Sequence, residues 1–201
     1  MLGDKIMPNN KIERRCLQGE VRAISDNGIN CITGTAARFN SLSEDLGGFR
    51  EVLSPNCFSN VLQDDVRALF NHDSNYVLGR TKSNTLTIWQ DDIGLHYKIV
   101  PPNTQFAKDL IESINRGDIS GSSFGFSFIW DEDDTWSKDK NGTPIRTINR
   151  VQRLYDVSPV TYPAYPETDT TIARRSIEKI KEESERKNRI ENRLKMLESV
   201  K

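Results

Sequence analysis

The chain has 201 residues, 28 Lys+Arg against 29 Asp+Glu, a net charge of -1, 35% apolar residues and a mean hydropathy of -0.62. That length predicts one domain, or one domain with an appendage, and the low apolar fraction predicts a modest core with part of the chain outside it. Near-neutral charge argues against nucleic-acid binding as the main task, because phosphate contacts call for a basic excess.

Residues 1–15 are polar and charged and are expected to be a flexible leader. No apolar stretch there is long enough for a signal peptide, and no window approaches the ~18 apolar residues of a membrane span. The expectation is a soluble protein made in a reducing cytoplasm. Its three cysteines, Cys16, Cys31 and Cys57, are odd in number and widely spaced, which suits reduced thiols. Short β-like runs at 21–24 and 29–32 flank Ser25-Asp26-Asn27-Gly28, a turn signal. The second run continues through Gly34 to Phe39. A short strand is expected at 49–52, and 54–58 opens a short helix ending before residue 65. Residues 66–70 form an apolar strand leading into the polar turn 71–75. Residues 77–81 and 86–89, separated by Lys82-Ser83-Asn84, read as a hairpin. A strand follows at 95–100. Residues 104–116 carry apolar positions at helical spacing, with Thr104 as N-cap and Gly117 as the stop. Ile119 to Trp130 is β-rich, 131–144 is an acidic surface loop, and 145–148 and 151–157 are strands. Prolines 159, 163 and 166 stiffen the next segment. From Ser176 to Lys201 there is no Gly, Pro or aromatic residue, and a weak amphipathic pattern predicts a charged helix outside the core.

Seven or eight short strands, one internal helix and a helical tail predict a mainly β fold, a barrel with helices. Strands and helices do not alternate, which excludes a doubly wound parallel sheet.

Only two histidines, His72 and His96, are available for imidazole chemistry, and the absence of CxxC or HExxH excludes most Cys/His zinc sites. No metal or cofactor is called for. His72 follows an apolar strand, where a rigid backbone can aim its ring into a cleft as a general base requires, or where it serves as an ordinary turn residue. His96 alternates within a strand, where it either faces solvent as a surface residue or lines the barrel. Ser123 lies within Gly121-Ser122-Ser123-Phe124-Gly125, a Gly-x-Ser-x-Gly pattern. The β-like residues after it exclude the strand–turn–helix elbow of α/β-hydrolases. Flanking glycines suit either an unobstructed nucleophile or a tight β-bulge. Asp156, among apolar neighbours, is either a surface strand residue or a partly buried carboxylate, for which an imidazole N–H is a suitable partner. Glu51 is a further acidic candidate.

Four ordered segments together resemble the prohead maturation protease family of tailed bacteriophages, which is similar in fold to herpesvirus assemblin. They are Gly34 to Phe39, Ala68 to Asp73 with Leu78-Gly79-Arg80, Ile119 to Phe126, and Val157 to Pro166. The resemblance spans roughly 16–175. It implies an assemblin-like β-barrel serine endopeptidase domain over 16–175 and a charged helical tail over 176–201, with His72 as base and Ser123 as nucleophile. In assemblins the third member is a histidine after the serine, and this chain has none after His96. In the phage relatives an acidic residue commonly precedes the Val-Ser step. Asp156 holds that place, with Glu51 behind it. Backbone N–H groups near Ala164 and Tyr165 are expected to form the oxyanion hole. The resemblance further implies an enzyme inside the immature capsid in the host cytoplasm. There it digests scaffold or the scaffolding part of the major capsid protein, then itself, as a dimer or higher oligomer, with no nucleic-acid or membrane partner. The tail would serve targeting or assembly, be removed by self-cleavage, or be a solvated helix without a role. The rival expectation is a non-catalytic scaffold protein that keeps a protease-like barrel.

Overall fold

The computed structural model describes residues 12–17, 20–162 and 189. The helix expected over 176–201, apart from Arg189, and the segment around Ala164 and Tyr165 lie outside the described residues. The described chain forms β1 (Glu13–Leu17), β2 (Val21–Asp26), β3 (Ile29–Arg38), β4 (Arg50–Leu53), β5 (Arg67–Phe70), β6 (Asp73–Arg80), β7 (Leu86–Gln90), β8 (Gly94–Ile99), α1 (Gln105–Asn115), β9 (Gly121–Ser127), β10 (Asp134–Lys138), β11 (Pro144–Ile148) and β12 (Arg153–Val160). The mainly β expectation holds. The strands form three sheets, ordered β1-β9-β12-β5-β6, β10-β11-β4 and β2-β3-β8-β7, and no closed barrel is found among the described residues. Each sheet keeps its edges because its terminal strands pair on one side only.

Four local expectations are corrected. Strand β1 begins inside the segment expected to be a loose leader, because it finds a partner more than 100 residues away in β9. Residues 54–64 form successive turns rather than a helix. Their amides bond three residues back, as in Cys57 to Ser54 and Val61 to Phe58, and Asn56 breaks the run with a φ of 64°. Strands β6 and β7 are not a hairpin, since a 3-10 turn at Thr81–Ser83 carries the chain from one sheet to another. Strand β10 crosses the expected 131–144 surface loop and pairs with β11. By contrast, α1 is as read. Thr104 accepts from the Ala107 amide, Leu110 and Ile114 are buried, and Gly117 leaves the helix at φ 82°.

The core explains how β9 holds the site. Residues alternate along a strand, so Phe124 and Phe126 pack into the main apolar cluster with Phe58 and Ile32, while Ser123 and Gly125 turn to the other face. Ser122 shares the face of Phe124, and its hydroxyl donates to the Tyr97 hydroxyl at 3.1 Å. Burial raises the Tyr97 pKa and keeps that phenol protonated.

Candidate active site

The five-stranded sheet places β12 between β9, which is antiparallel to it, and β5, which is parallel. In register, Ser158 faces Ser123 and Asp156 faces Gly125. Asp156 and Ser158 are two residues apart and share one face of β12, the face that also carries Ser123. A side chain at Gly125 would collide with the Asp156 carboxylate, so the second glycine of the Gly-x-Ser-x-Gly pattern makes room for an acid on the next strand.

His72 reaches this face from the turn joining β5 to β6. Phe70 pairs with Asp73, leaving Asn71 and His72 as a two-residue loop. Both have positive φ, 52° and 59°, the combination such hairpins require and glycine usually supplies. A β-carbon there costs about 1–2 kcal/mol, and the turn is fastened to β12 in compensation. The Asn71 amide donates to the Pro159 carbonyl at 3.0 Å, its Nδ2 donates to Thr161 Oγ1 at 3.1 Å, and its Oδ1 accepts from the Thr161 amide at 2.9 Å. The residue carrying the imidazole is thereby tied to the strand carrying Asp156.

The structure brings three of the four candidate residues together. His72 Nδ1 lies 2.5 Å from Asp156 Oδ1, and Nε2 lies 2.6 Å from Ser123 Oγ. The His72 and Asp156 side chains are 10% and 8% exposed, and Ser123 is fully buried. Burial by itself lowers the His72 pKa. The hydrogen bond donated to Asp156, a contact with Cys16 and the Asp156 charge outweigh it, and the net shift is upward from 6.5. A neutral imidazole held this way takes a proton from Ser123 on Nε2, while Asp156 favours the Nδ1–H tautomer.

Glu51 is elsewhere. It is buried on β4 and receives Arg146 Nε at 2.8 Å and Arg15 Nε at 2.7 Å. Burial works to raise its pKa, but the two guanidinium groups win and the net shift is downward. Glu13 joins the same cluster through Arg146 at 3.1 Å and Arg15 at 2.5 Å. Four rings, Phe49, Phe128, Trp130 and Trp136, surround the Arg146 guanidinium at 4.9–5.9 Å. This cluster knits β1 and the three-stranded sheet to the rest of the fold and holds no group at the imidazole. His96 is also apart, with Nδ1 at 3.1 Å from Thr35, Nε2 at 2.9 Å from Asp91, and its ring stacked on Trp89.

Two neighbours of Ser123 escaped the sequence reading. Ser158 donates to Asp156 Oδ1 at 2.8 Å. The Arg15 carbonyl on β1 accepts from Ser123 Oγ at 2.9 Å. For Ser158 the available signal was its same-face spacing from Asp156. A backbone carbonyl leaves no signal in residue type. A cavity of about 300 Å³ opens beside the group, lined by Cys16, Asn71, His72, Val160, Thr161 and Tyr162. Among the described residues no cluster of His, Cys, Asp and Glu could hold a metal ion, and no helix is long and apolar enough to cross a membrane.

A family model described as caudovirus prohead serine protease matches residues 18–183. A solved structure, the bacteriophage T4 capsid assembly protease gp21, is similar at 13% identity with a TM-score of 0.44, covering 76% of this chain and 97% of that one. No curated protein matches the chain.

Proposed function

Since the chain belongs to the caudovirus prohead serine protease family, we propose that it matures phage heads by cutting scaffold, or the scaffolding part of the major capsid protein, inside the prohead in the host cytoplasm, and that it also cuts itself. The protease part is assigned to 16–175 and the charged segment over 176–201 is an appendage to it, and the working form is a dimer or higher oligomer. The observation supporting this reading is the chain of short contacts from Ser123 through His72 to Asp156.

Ser123 Oγ attacks the peptide carbonyl carbon as its proton passes to His72 Nε2. The resulting imidazolium is stabilised by Asp156 and returns that proton to the leaving amine as the C–N bond breaks. Water, deprotonated by the same nitrogen, then attacks the Ser123 ester, and as the ester C–O bond breaks Ser123 Oγ takes that proton back and the new carboxyl product leaves.

Fluorophosphonate labelling, mapped by peptide mass, tests the assignment. Ser123 is the modified residue and Ser122, committed to Tyr97, is not. Because only neutral His72 accepts a proton, the labelling rate rises with pH, with its midpoint above the ordinary 6.5. The same upward shift stabilises the fold fully below the unfolded-state pKa, and that contribution is lost as pH rises through the folded pKa. Reactivity therefore grows where this contribution to stability fades. Modification confined to another serine defeats the proposal.

A further inference from the structure

We propose that Ser158 is a positioning residue for the His72–Asp156 pair, an inference that rests on the functional reading above. Ser158 is fully buried, and its Oγ lies 2.8 Å from Asp156 Oδ1 and 3.4 Å from His72 Nδ1. Oδ1 is the same oxygen that His72 Nδ1 approaches at 2.5 Å. A hydroxyl has one proton to give. Given to Asp156, it leaves only oxygen lone pairs toward Nδ1, which favours the Nδ1–H tautomer that reactivity requires. The hydroxyl also fixes the carboxylate rotation, because Asp156 and Ser158 stand on one face of a strand paired on both sides. Deleting it leaves His72 facing a carboxylate with one donor fewer, and the imidazolium becomes the favoured partner for that charge.

Ser158→Ala and Ser158→Thr test the role, with fluorophosphonate labelling of Ser123 across pH and NMR titration of His72 as readouts. The alanine variant is expected to label about tenfold more slowly at the high-pH plateau. Its midpoint and the His72 titration both move to higher pH, and threonine restores most of the wild-type rate and midpoint. An alanine variant with wild-type rate and midpoint overturns the proposal. So does one whose only change is a lower melting temperature. The functional reading fails separately, if His72→Ala still labels at the wild-type rate.

A different contact carries a second proposal: we infer that β1 closes the site from within the same chain. Ser123 is fully buried, Cys16 is its register partner on β1, and its hydroxyl lies 2.9 Å from the Arg15 carbonyl. The proton given to that carbonyl is withheld from His72, and the β1 backbone occupies the edge of β9 beside the nucleophile. The match to the protease family begins at residue 18, immediately after this strand. Two ion pairs anchor β1, Glu13 to Arg146 on β11 and Arg15 to Glu51 on β4.

Glu13→Ala removes one of the two anchors and keeps the Arg15–Glu51 pair, and deletion of residues 1–17 removes the strand. Either folded variant is expected to label at Ser123 several-fold faster than wild type, with faster amide exchange over 13–17 in Glu13→Ala. A folded variant with β1 detached or absent that labels no faster than wild type overturns the inference, and leaves the protease assignment standing as long as Ser123 labels at all.

Discussion

On the proposed function, Ser123→Ala and His72→Ala are each expected to yield a folded protein that no longer cuts peptide bonds, and proheads assembled with either variant are expected to keep full-length scaffold and capsid protein on a denaturing gel. The size of the loss follows from the shared proton path. When nucleophile and base act as a unit, removing either costs about as much as removing both, on the order of ten-thousand-fold or more in kcat. Asp156→Asn acts through His72, which it abuts at 2.5 Å. Its loss is also about ten-thousand-fold, because an amide can present N–H to Nδ1 and hold the wrong tautomer. It differs in pH behaviour. With the Asp156 hydrogen bond and charge gone, burial dominates His72, and the acid limb moves below its wild-type position. A variant set in which Ser122→Ala abolishes cutting and Ser123→Ala does not would shift the nucleophile by one residue.

The second large effect is on stability. Glu51→Ala leaves Arg146, 1% exposed, with the partly exposed Glu13 as its remaining carboxylate partner. Breaking a buried ion pair by removing one member costs about 3–5 kcal/mol. For a domain of this size that corresponds to a fall in melting temperature of about 10 °C by calorimetry. The sign with pH follows from the downward shift of Glu51. Its stabilisation is present above the ordinary carboxylate value and is lost as pH falls through the folded one. Wild-type stability therefore declines on acidification by a component that Glu51→Ala lacks. The midpoint of labelling at Ser123 stays where it is, since Glu51 bonds Arg15 and Arg146 and not the imidazole. A midpoint that moves with Glu51 would restore it as the third member.

What was legible in the sequence was mostly local or chemical. Helix α1 announces itself because its cap, apolar stripe and stop all lie within fourteen residues. The aromatic alternation of β9 shows which way Ser123 turns. The scarcity of histidine narrows the base to His72 or His96. Strand β10 was hidden because its Asp134, and the acidic residues 131–133 just before it, look like loop residues. Asp133 is in fact spent on the Ile129 amide and Arg150, and Asp134 on the Asp131 amide and Trp136 Nε1. The sheet partners of β6 and β7 were hidden too, because a short connection between two strands says nothing about whether they pair. Sequence order alone favoured Asp156 over Glu51 through the family pattern. The physical reason is that Glu51 is already committed to two arginines, Arg15 and Arg146.

The contacts that link Ser123 to His72 and His72 to Asp156 span 51 and 84 residues of chain. That has a consequence in time. A chain still emerging from the ribosome displays His72, and later Ser123, long before it contains Asp156. β9 and β5 acquire their common neighbour only when residues up to Val160 have been made and docked between them. Such non-local pairing forms late in folding. On the proposed function, a polypeptide that has not yet docked β12 is expected to be inert, as is a translation product truncated before it. The wide separation of the reacting groups along the chain would tie peptide-cutting competence to the synthesis and docking of β12.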